Sequence, residues 1–361
     1  MDTLAEPATT PAGADPAAAL AERLGNACVE MMDVLSVHLG DRLGWYRSLA
    51  AAPRSAEELA AATGTQPRYA LEWCRQQVAT GLLTEEGEGR YRSAPGVAEV
   101  VVDEHSLLYT AAMCRQVVGF AAQVPALLHA YRHGGGVSWE QFGPDVLQAQ
   151  ADMNRPWFER ELAGAMASVP ELADRLAGTP RIADIGCGAA WSTIAMAEGW
   201  PSAHVVGIDV DEPSVALGGR NVEQAGLADR VEVRLADAAA LPDAGTFDLV
   251  TAFECVHDLP YPVAVLESAR RALAPGGAVL VVDEAVGDVP APPGDLLERL
   301  MHGFSILCCL PDSMTHEGSA ATGTVMRPAT LAGYAHEAGF SRVTQLPVEG
   351  FAFFRFTLLE P

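Results

Sequence analysis

The spacing of hydrophobic positions changes near residue 180 and divides the chain into two halves. Before that point, apolar residues recur three and four positions apart, first between Ala17 and about Ala52, as in helices that pack by one face. After Thr179 and Pro180, short apolar runs alternate with helical spacing, which is typical of a parallel sheet with helices on both faces. We therefore predict an α/β fold preceded by a mainly helical half.

Seven apolar runs in the second half predict the strands of the sheet. The last two are close enough in sequence for a hairpin, which would place an antiparallel strand at the edge of the sheet or within it. The predicted strands are Arg181 to Gly186, Ala203 to Asp209, Val231 to Ala236, Phe247 to Phe253, Ala278 to Asp283, Ser341 to Leu346 and Phe351 to Leu359.

Residues 55 to 93 have the element order of a winged helix-turn-helix. Ser55 and Glu58 are spaced as a capping box, Pro67 suits the first position of a second helix, and two β-like runs flank a Glu-Gly-Glu-Gly turn. The predicted divisions are a disordered lead-in (1–16), a winged-helix domain (17–104), a helical linker and substrate-covering region (105–178) and an α/β domain (179–361).

The charge of the chain restricts its partners. All 23 positive residues are arginines, against 47 acidic residues and a net charge of −24. Within residues 55–104, four arginines face nine acidic residues, whereas a nucleic-acid surface is expected to be basic. Composition therefore disfavours a DNA-binding regulator and favours a neutral or cationic small molecule.

Several sequence patterns that would indicate a membrane, secretion or a metal ion are missing. No uninterrupted apolar run reaches the roughly 18 residues of a membrane helix, and the first residues lack a signal-peptide pattern. The seven cysteines are scattered without a Cys-x-x-Cys pair, which argues against a disulfide framework and against a zinc site. We expect a cytoplasmic protein without a metal ion and without a membrane partner.

Gly186-Cys187-Gly188 comes at the end of the first predicted strand. Closely spaced glycines after a buried strand are typical of a loop that binds a nucleotide-like cofactor. The glycines let a ligand approach the backbone, and the start of the next helix offers free N–H groups. Trp191 stands where a dinucleotide fingerprint has its third glycine, which disfavours NAD as the cofactor.

Acidic residues recur at the ends of the first three predicted strands, at Asp184, Asp209 and Asp237. Asp209 could accept hydrogen bonds from ribose hydroxyls, in an NAD enzyme as well as in one that uses S-adenosylmethionine. Asp237, beside Ala238, suits the edge of an adenine ring, although a single Asp at a strand end also caps helices. The series of three favours S-adenosylmethionine.

Glu254-Cys255-Val256-His257-Asp258 follows the fourth predicted strand, at the carboxyl edge where open α/β sheets bind ligands. His257 could act as a general base, because an unperturbed histidine has a pKa near 6.5, and Asp258 could orient its ring. The alternative is that His257 only lines the cofactor site.

Aromatic, histidine and methionine residues outside these motifs are candidates for an acceptor pocket. They lie in the helical half and in the long stretch after the fifth predicted strand. The candidates are Tyr109, Met113, Trp157, Phe158, His302, Phe304 and Met314.

The second half resembles class I S-adenosylmethionine-dependent methyltransferases from about residue 180 to 360. The resemblance is carried by the order of five motifs: Asp184-Ile-Gly-Cys-Gly188, Gly207-Ile-Asp209, Ala236-Asp-Ala238, Phe247-Asp-Leu-Val250 and Leu273-Ala-Pro-Gly-Gly277. It implies a Rossmann-like seven-stranded sheet whose glycine loop holds the methionine portion, with the ribose and adenine on the next two strand ends and Glu254 near the transferred methyl. The implied cofactor residues are Asp184, Gly186, Cys187, Gly188, Asp209, Val210, Asp237, Ala238 and Glu254.

The first half is similar to that of bacterial and plant small-molecule methyltransferases, in which it forms a homodimer and closes over the substrate. A bacterial subgroup shares Asn154-Arg-Pro-Trp-Phe158 and Glu254-Cys-Val-His-Asp258. The resemblance implies a homodimeric enzyme that methylates a nitrogen, oxygen or carbon of a small molecule and releases S-adenosylhomocysteine. A winged-helix regulator that senses S-adenosylmethionine and an NAD-linked oxidoreductase are the alternatives.

Overall fold

The computed structural model describes residues 15–241, 245–348, 350–351 and 353–361. These residues form two compact units that divide between Ala121 and Ala122, within the region predicted as a linker. Residues 1–14 of the predicted lead-in lie outside the described residues. Pro16 already begins the first helix, and the side chain of Asp15 accepts a hydrogen bond from the Ala17 N–H as its cap.

The first unit has the element order predicted for a winged helix-turn-helix. The Ser55 side chain accepts from the Glu58 N–H while the Glu58 side chain accepts from the Ser55 N–H, so the capping box is present. Its three short strands pair antiparallel in the order β1-β3-β2. The elements are α1 (Pro16–Arg42), α2 (Trp45–Ala51), β1 (Arg54–Ser55), α3 (Ala56–Thr63), α4 (Pro67–Ala79), β2 (Leu83–Glu85), β3 (Arg90–Ser93), a π-helical turn (Ala98–Val102) and α5 (Ala111–Ala122).

Helices of the second unit precede its sheet and then alternate with the strands. The helices before the sheet are α6 (Val124–His133), α7 (Trp139–Phe142), α8 (Pro144–Trp157), a π-helical turn (Phe158–Leu162), α9 (Ala163–Ala167) and α10 (Pro170–Arg175). The remaining elements are β4 (Arg181–Ile185), α11 (Trp191–Gly199), β5 (His204–Asp209), α12 (Glu212–Gln224), β6 (Val231–Leu235), a 3-10 turn (Ala238–Ala240), β7 (Phe247–Phe253), α13 (Pro262–Ala272), β8 (Leu273–Glu284), α14 (Leu296–Phe304), a π-helical turn (Ser305–Cys309), α15 (Leu310–Ser313), α16 (Pro328–Glu337), β9 (Arg342–Gln345) and β10 (Phe354–Glu360).

The seven strands of the second unit form one sheet in the order β6-β5-β4-β7-β8-β10-β9. The first five are parallel, and β10 lies antiparallel between β8 and β9, so the predicted hairpin places an antiparallel strand within the sheet. The seven-stranded α/β prediction is confirmed. Because β4, β5, β7 and β8 are parallel, their carboxyl ends share one edge of the sheet.

Both faces of this sheet are buried, which explains why its strands read as almost continuous apolar runs. Ile182 and Leu249 pack on one face, whereas their neighbours Ala183 and Val250 pack on the other, and each is 0% exposed. The strand β8 begins five residues before the predicted Ala278, because Leu273 pairs with Phe247 ahead of an irregularity in the register.

Within the described residues, no single helix is long and apolar enough to cross a membrane. The consecutive helices α5 and α6 pass that test only when they are counted together, by length and composition alone.

Candidate active site

The loop after β4 turns through left-handed backbone conformations that bring it close to the neighbouring strand. Gly186 has φ +66°, and a Cβ there would lie 2.8 Å from the Cβ of Cys255, so only glycine fits. At Gly188, with φ +51°, a Cβ would meet no atom within 4 Å, which leaves the backbone open to a ligand. Ala190 (φ +65°) supplies the third left-handed position, so the turn ends one residue before Trp191 and not at it.

Asp184 fixes this loop from beneath and is inaccessible to a ligand. Its side chain is 0% exposed and accepts hydrogen bonds from the hydroxyls of Ser192 (2.6 Å), Thr193 (2.7 Å) and Thr251 (2.7 Å). Burial raises the pKa of the Asp184 carboxyl, and the three hydroxyls oppose that rise. The predicted direct contact with a cofactor therefore does not fit Asp184, which ties the start of α11 to β4 and β7.

Cys187 is also turned away from the open side of the loop. It is 7% exposed, and a Cβ on Gly207 of β5 would lie 2.8 Å from its sulfur. Its side chain thus packs over the sheet, and only its backbone remains for the predicted cofactor contact.

Asp209 joins the end of β5 to the glycine loop. One carboxylate oxygen accepts from the Gly188 N–H (2.8 Å) and the other from the Asp211 N–H (2.9 Å). Burial raises the pKa of Asp209, while these backbone donors act against the rise. Each oxygen keeps a further lone pair for a ligand hydroxyl. The next residue, Val210, is 70% exposed and offers an apolar surface beside it.

Asp237 caps the 3-10 turn that follows β6. Its exposed side chain accepts from the Ala239 N–H at 2.8 Å, and Ala238 is buried. The capping role that a single Asp can have at a strand end is therefore realised. Contact of Asp237 and Ala238 with an adenine ring stays a prediction.

His257 lies after β7 in a buried cluster of carboxylates and is 2% exposed. Its Nδ1 contacts the Asp283 carboxylate and lies 3.4 Å from Glu284 Oε2, while its Nε2 lies 3.3 Å from Asp258 Oδ1. Sequence reasoning did not assign Asp283 and Glu284 to the site. Their position at the end of β8, beside β7 on the same edge, was the signal that could have found them.

The cluster holds protons near neutral pH. Burial opposes a charge on His257, but Asp258, Glu284 and Asp283 together raise the pKa of its ring well above 6.5. Burial also raises the pKa of Glu254 to about 8 and that of Glu284 well above its usual value. Among the described residues, Asp258 Oδ1, Asp283 Oδ2 and Glu284 Oε2 are buried without a hydrogen-bond partner.

Glu254 is held in a strained backbone conformation at the end of β7. Its φ is +50°, which is unusual for a residue other than glycine and is often found at functional sites. Its carboxyl group accepts a hydrogen bond from the side chain of Asn154 at the end of α8. The motif that begins at Asn154 therefore reaches the edge of the sheet, a contact that sequence reasoning did not predict.

Two sets of side chains among the described residues could hold a metal ion. They are His257 with Asp258 and Cys309, and His257 with Asp283 and Glu284, and in each set the donor atoms lie within 4.8 Å of one another. Histidine with carboxylates is a donor set that several divalent metals accept.

The predicted acceptor-pocket residues of the second unit fall into different environments. Phe158 is 7% exposed and its ring centroid lies 5.4 Å from that of Phe253, so it belongs to the core beneath the site. Trp157 is half-buried against Phe351, with ring centroids 6.1 Å apart. His302 and Met314 are solvent-exposed, and Phe304 is half-buried. In the same stretch, the Cys309 thiol donates to Asp258, a contact that sequence reasoning did not predict.

Tyr109 and Met113, the other predicted pocket residues, belong to the first unit. Tyr109 is 7% exposed, and its hydroxyl accepts from the Arg115 guanidinium at 3.2 Å. Tyr109 is thus an interior residue of that unit, and a role for either residue in binding an acceptor stays a prediction.

Comparison with known proteins supports the interpretation of this edge of the sheet. Residues 182–277 match the family described as Methyltransferase domain. The 27-O-demethylrifamycin SV methyltransferase of Amycolatopsis mediterranei is 34% identical over 151 residues, which are 40% of this chain and 54% of that protein. The ubiquinone biosynthesis O-methyltransferase of Paraburkholderia xenovorans is 30% identical over 144 residues, which are 38% of this chain and 61% of that protein. The chain thus matches between about half and three fifths of the length of these relatives.

Solved structures extend the similarity in fold to almost the whole chain. Mitomycin 7-O-methyltransferase superposes with a TM-score of 0.73 at 19% identity, covering 95% of this chain and 98% of that one. Human N-acetylserotonin methyltransferase in complex with SAM gives a TM-score of 0.69 at 17% identity, with 97% and 99% covered. The predicted Rossmann-like fold is confirmed, and residues 182–277 carry the predicted resemblance to a methyltransferase domain.

Proposed function

We propose that the protein transfers a methyl group from S-adenosylmethionine to a nitrogen, oxygen or carbon atom of a small molecule. The observation that carries this proposal is the arrangement at one edge of the sheet. There Asp209 accepts the backbone N–H of Gly188 in an open glycine loop, and the buried His257 lies on the same edge, after β7.

The residues present fit this cofactor. The backbone at Gly188 is open, and the Asp209 carboxylate retains acceptor capacity for the two hydroxyls of a ribose. Asp237 is exposed at the next strand end, where its side chain and the buried Ala238 would meet the adenine. The cofactor supplies a methyl group on a sulfonium, which an in-line nucleophile takes as the carbon–sulfur bond breaks and its electron pair stays on sulfur.

The cluster around His257 would take the proton that the acceptor loses. Asp283 holds Nδ1, which leaves Nε2, on the side of Asp258, as the atom that exchanges a proton. Because the surrounding carboxylates raise the pKa of His257, the neutral ring that accepts a proton is populated only at higher pH than in an ordinary histidine. Turnover that depends on this base should therefore rise with pH through an inflection above 6.5.

Incubation with S-adenosylmethionine labelled in its methyl group, followed by mass spectrometry of a panel of candidate metabolites, tests the activity. The proposal predicts an acceptor that gains one labelled methyl and an equal amount of S-adenosylhomocysteine. Fragmentation of the product then identifies the methylated atom. Its failure would be an absence of both products together with no binding of S-adenosylhomocysteine.

The relatives favour an acceptor from secondary metabolism. A solved O-methyltransferase from neocarzinostatin biosynthesis, in complex with SAM and 2-hydroxy-5-methyl naphthoic acid, gives a TM-score of 0.62 at 21% identity. By analogy, a hydroxylated aromatic compound is the first class of acceptor to test in the panel. The comparisons give no support to the alternatives of a cofactor-sensing regulator or an NAD-linked oxidoreductase.

The first unit is proposed to form a homodimer with a second copy of the chain. Apolar side chains on α1 are 49–62% exposed at Leu20, Leu24, Val29, Met32 and Leu39. A cavity of about 550 Å³ continues this surface and is lined by residues that include Leu43, Trp45, Tyr69 and Trp73. Exposed apolar patches of this extent mark interaction sites. Sedimentation of the wild type as a dimer, and of the Leu24→Glu/Val29→Glu variant as a folded monomer, would support it; a monomeric wild type would not.

A reducing cytoplasm is the proposed compartment. All seven cysteines are free, including the vicinal pair Cys308 and Cys309, which an oxidising compartment would expose to disulfide formation. The net charge of −24 argues against nucleic acid as a partner. Fractionation of the native host, with the protein followed by antibody, checks the compartment.

A further inference from the structure

Arg155 is stacked on Trp191 at the start of the helix that follows the glycine loop. The guanidinium carbon lies 4.1 Å from the centroid of the indole ring, within the range of a cation–π interaction. Glu159, one turn further along, accepts from Arg155 Nε at 2.6 Å. The guanidinium is therefore held in place from two sides, although it belongs to α8 and the ring belongs to α11.

The indole N–H of Trp191 is buried and has no hydrogen-bond partner among the described residues. A buried donor without an acceptor is costly and rare in folded proteins, because it has lost water without gaining a replacement. The acceptor for this N–H is best explained as part of a molecule that the chain binds. The guanidinium beside the ring offers further donors to the same molecule.

The location of the pair identifies the part of the ligand that it would meet. Asn154, the neighbour of Arg155, donates to Glu254 at the end of β7, and Trp191 directly follows the loop that leaves β4. The pair thus lies at the edge shared by β4 and β7, beside the loop that would hold the methionine portion of the cofactor. That portion ends in a carboxylate, which accepts hydrogen bonds and carries a negative charge.

We propose that Arg155 and Trp191 bind the carboxylate at the amino-acid end of the adenosyl cofactor. The proposal rests on the proposed function and assigns the recognition of this end to two side chains that the glycine motif does not contain. A guanidinium binds a carboxylate through a planar fork of donors, and the indole N–H adds a donor from the side. Glu159 keeps the fork in position and balances its charge before the ligand arrives.

Calorimetric titration with two ligands tests this assignment without any turnover. S-adenosylhomocysteine carries the amino-acid end, whereas 5′-methylthioadenosine has the same nucleoside and thioether but lacks it. In the Arg155→Gln variant, we expect the dissociation constant of S-adenosylhomocysteine to rise by about 10–100-fold, the usual effect of losing hydrogen bonds to a charged group. That of 5′-methylthioadenosine should change by less than about twofold.

Two further variants complete the design. Trp191→Phe keeps an aromatic ring under Arg155 but removes the N–H, and it should weaken S-adenosylhomocysteine by about 3–10-fold without affecting 5′-methylthioadenosine. Arg160→Gln removes the same charge from an exposed position five residues away, and it should change neither affinity. Thermal melts establish that each variant is folded. If Arg155→Gln does not fold, Trp191→Phe tests the assignment by the same comparison of the two ligands.

The outcomes separate this inference from the proposed function. The carboxylate assignment would be overturned if Arg155→Gln weakened the binding of both ligands equally. It would also be overturned if S-adenosylhomocysteine bound unchanged to Arg155→Gln and to Trp191→Phe. Either result would leave the proposed cofactor unaffected. Failure of the wild type to bind either ligand would overturn the proposed function, and this inference with it.

Discussion

The carboxylates at two parts of the same sheet edge differ in whether their oxygens have hydrogen-bond donors. Around the glycine loop, Asp184 and Asp209 accept hydrogen bonds from fixed hydroxyl and backbone N–H donors. Around His257, four carboxyl groups surround one imidazole, and three of their oxygens have no hydrogen-bond partner among the described residues. The first part is fixed by these hydrogen bonds and is the proposed support for the cofactor, whereas the second is a titratable cluster and the proposed acceptor of a proton.

The glycine loop should therefore depend mainly on the fold, whereas the charge of the cluster around His257 should depend on pH. The backbone N–H and hydroxyl donors of the glycine loop carry no titratable charge and offset the rise that burial causes in the pKa values of Asp184 and Asp209. A cluster with a raised histidine pKa and a Glu254 pKa of about 8 changes its charge there. Substitutions in the two parts should therefore separate affinity for the cofactor from the rate of the reaction.

Removal of His257 is expected to have the largest effect. His257→Ala should lower kcat by about 100- to 10,000-fold, the usual contribution of a general base, and leave the affinity for S-adenosylhomocysteine within about twofold. The rate is measured with the acceptor found in the metabolite screen. His204→Ala serves as the control, because His204 is exposed at the start of β5, at the end away from Asp209. Wild-type turnover in His257→Ala would restrict this residue to lining the site.

Loss of the buried carboxylate at Asp184 should mainly affect the free energy of unfolding. Asp184→Ala removes the carboxylate that accepts three buried hydroxyl hydrogen bonds and should destabilise the protein by about 3 kcal/mol in urea denaturation. Asp237→Ala, which removes an exposed cap, should cost only about 0.5–1 kcal/mol. Equal losses in the two variants would contradict the supporting role assigned to Asp184.

Asp209→Ala is expected to weaken cofactor binding, with a smaller change in free energy than the loss of His257 causes in the activation barrier. Loss of charge-assisted hydrogen bonds to the ribose should cost about 1–3 kcal/mol, which corresponds to about 5–150-fold in the dissociation constant of S-adenosylhomocysteine. Asp229→Ala removes an exposed carboxylate elsewhere in the same unit and should have no effect. An unchanged affinity in Asp209→Ala would remove this residue from the cofactor site.

The pH dependence of stability should be the most gradual effect, because it is spread over several pH units. The folded state keeps a proton on Glu254 up to about pH 8, whereas the unfolded chain releases it near 4.5. A proton that the folded state binds more tightly makes stability fall as pH rises between those values, by at most about 1.4 kcal/mol per pH unit. The raised pKa of His257 acts in the same direction, because its stabilisation is lost as pH rises through the folded-state pKa.

Melting temperatures between pH 5 and 8.5 check this slope. The wild type should melt at progressively lower temperature as pH rises, and Glu254→Gln should flatten the dependence because position 254 then no longer titrates. A melting temperature that increases over this range would show that the cluster is not protonated as described.

Much of this molecule could be predicted from the sequence, because its signals are local. Strand β7 occupies Phe247–Phe253 as predicted, and the glycine loop meets Asp209 because parallel strands share an edge. The contacts of His257 were harder to predict, since Asp283 lies 26 residues away and only its position at the end of the neighbouring strand β8 marks it as a partner. Likewise, the direction of the Asp184 side chain depends on hydroxyls from two other elements, one of them Thr251 in β7.

Calorimetric titration of the wild type with S-adenosylhomocysteine, and in parallel with NAD, tests whether the chain binds the proposed adenosyl cofactor. The proposed function predicts saturable binding of one S-adenosylhomocysteine per chain, with a dissociation constant in the micromolar range typical of enzyme ligands, and no heat from NAD. Binding of NAD, or no heat from S-adenosylhomocysteine at millimolar concentration, would contradict it.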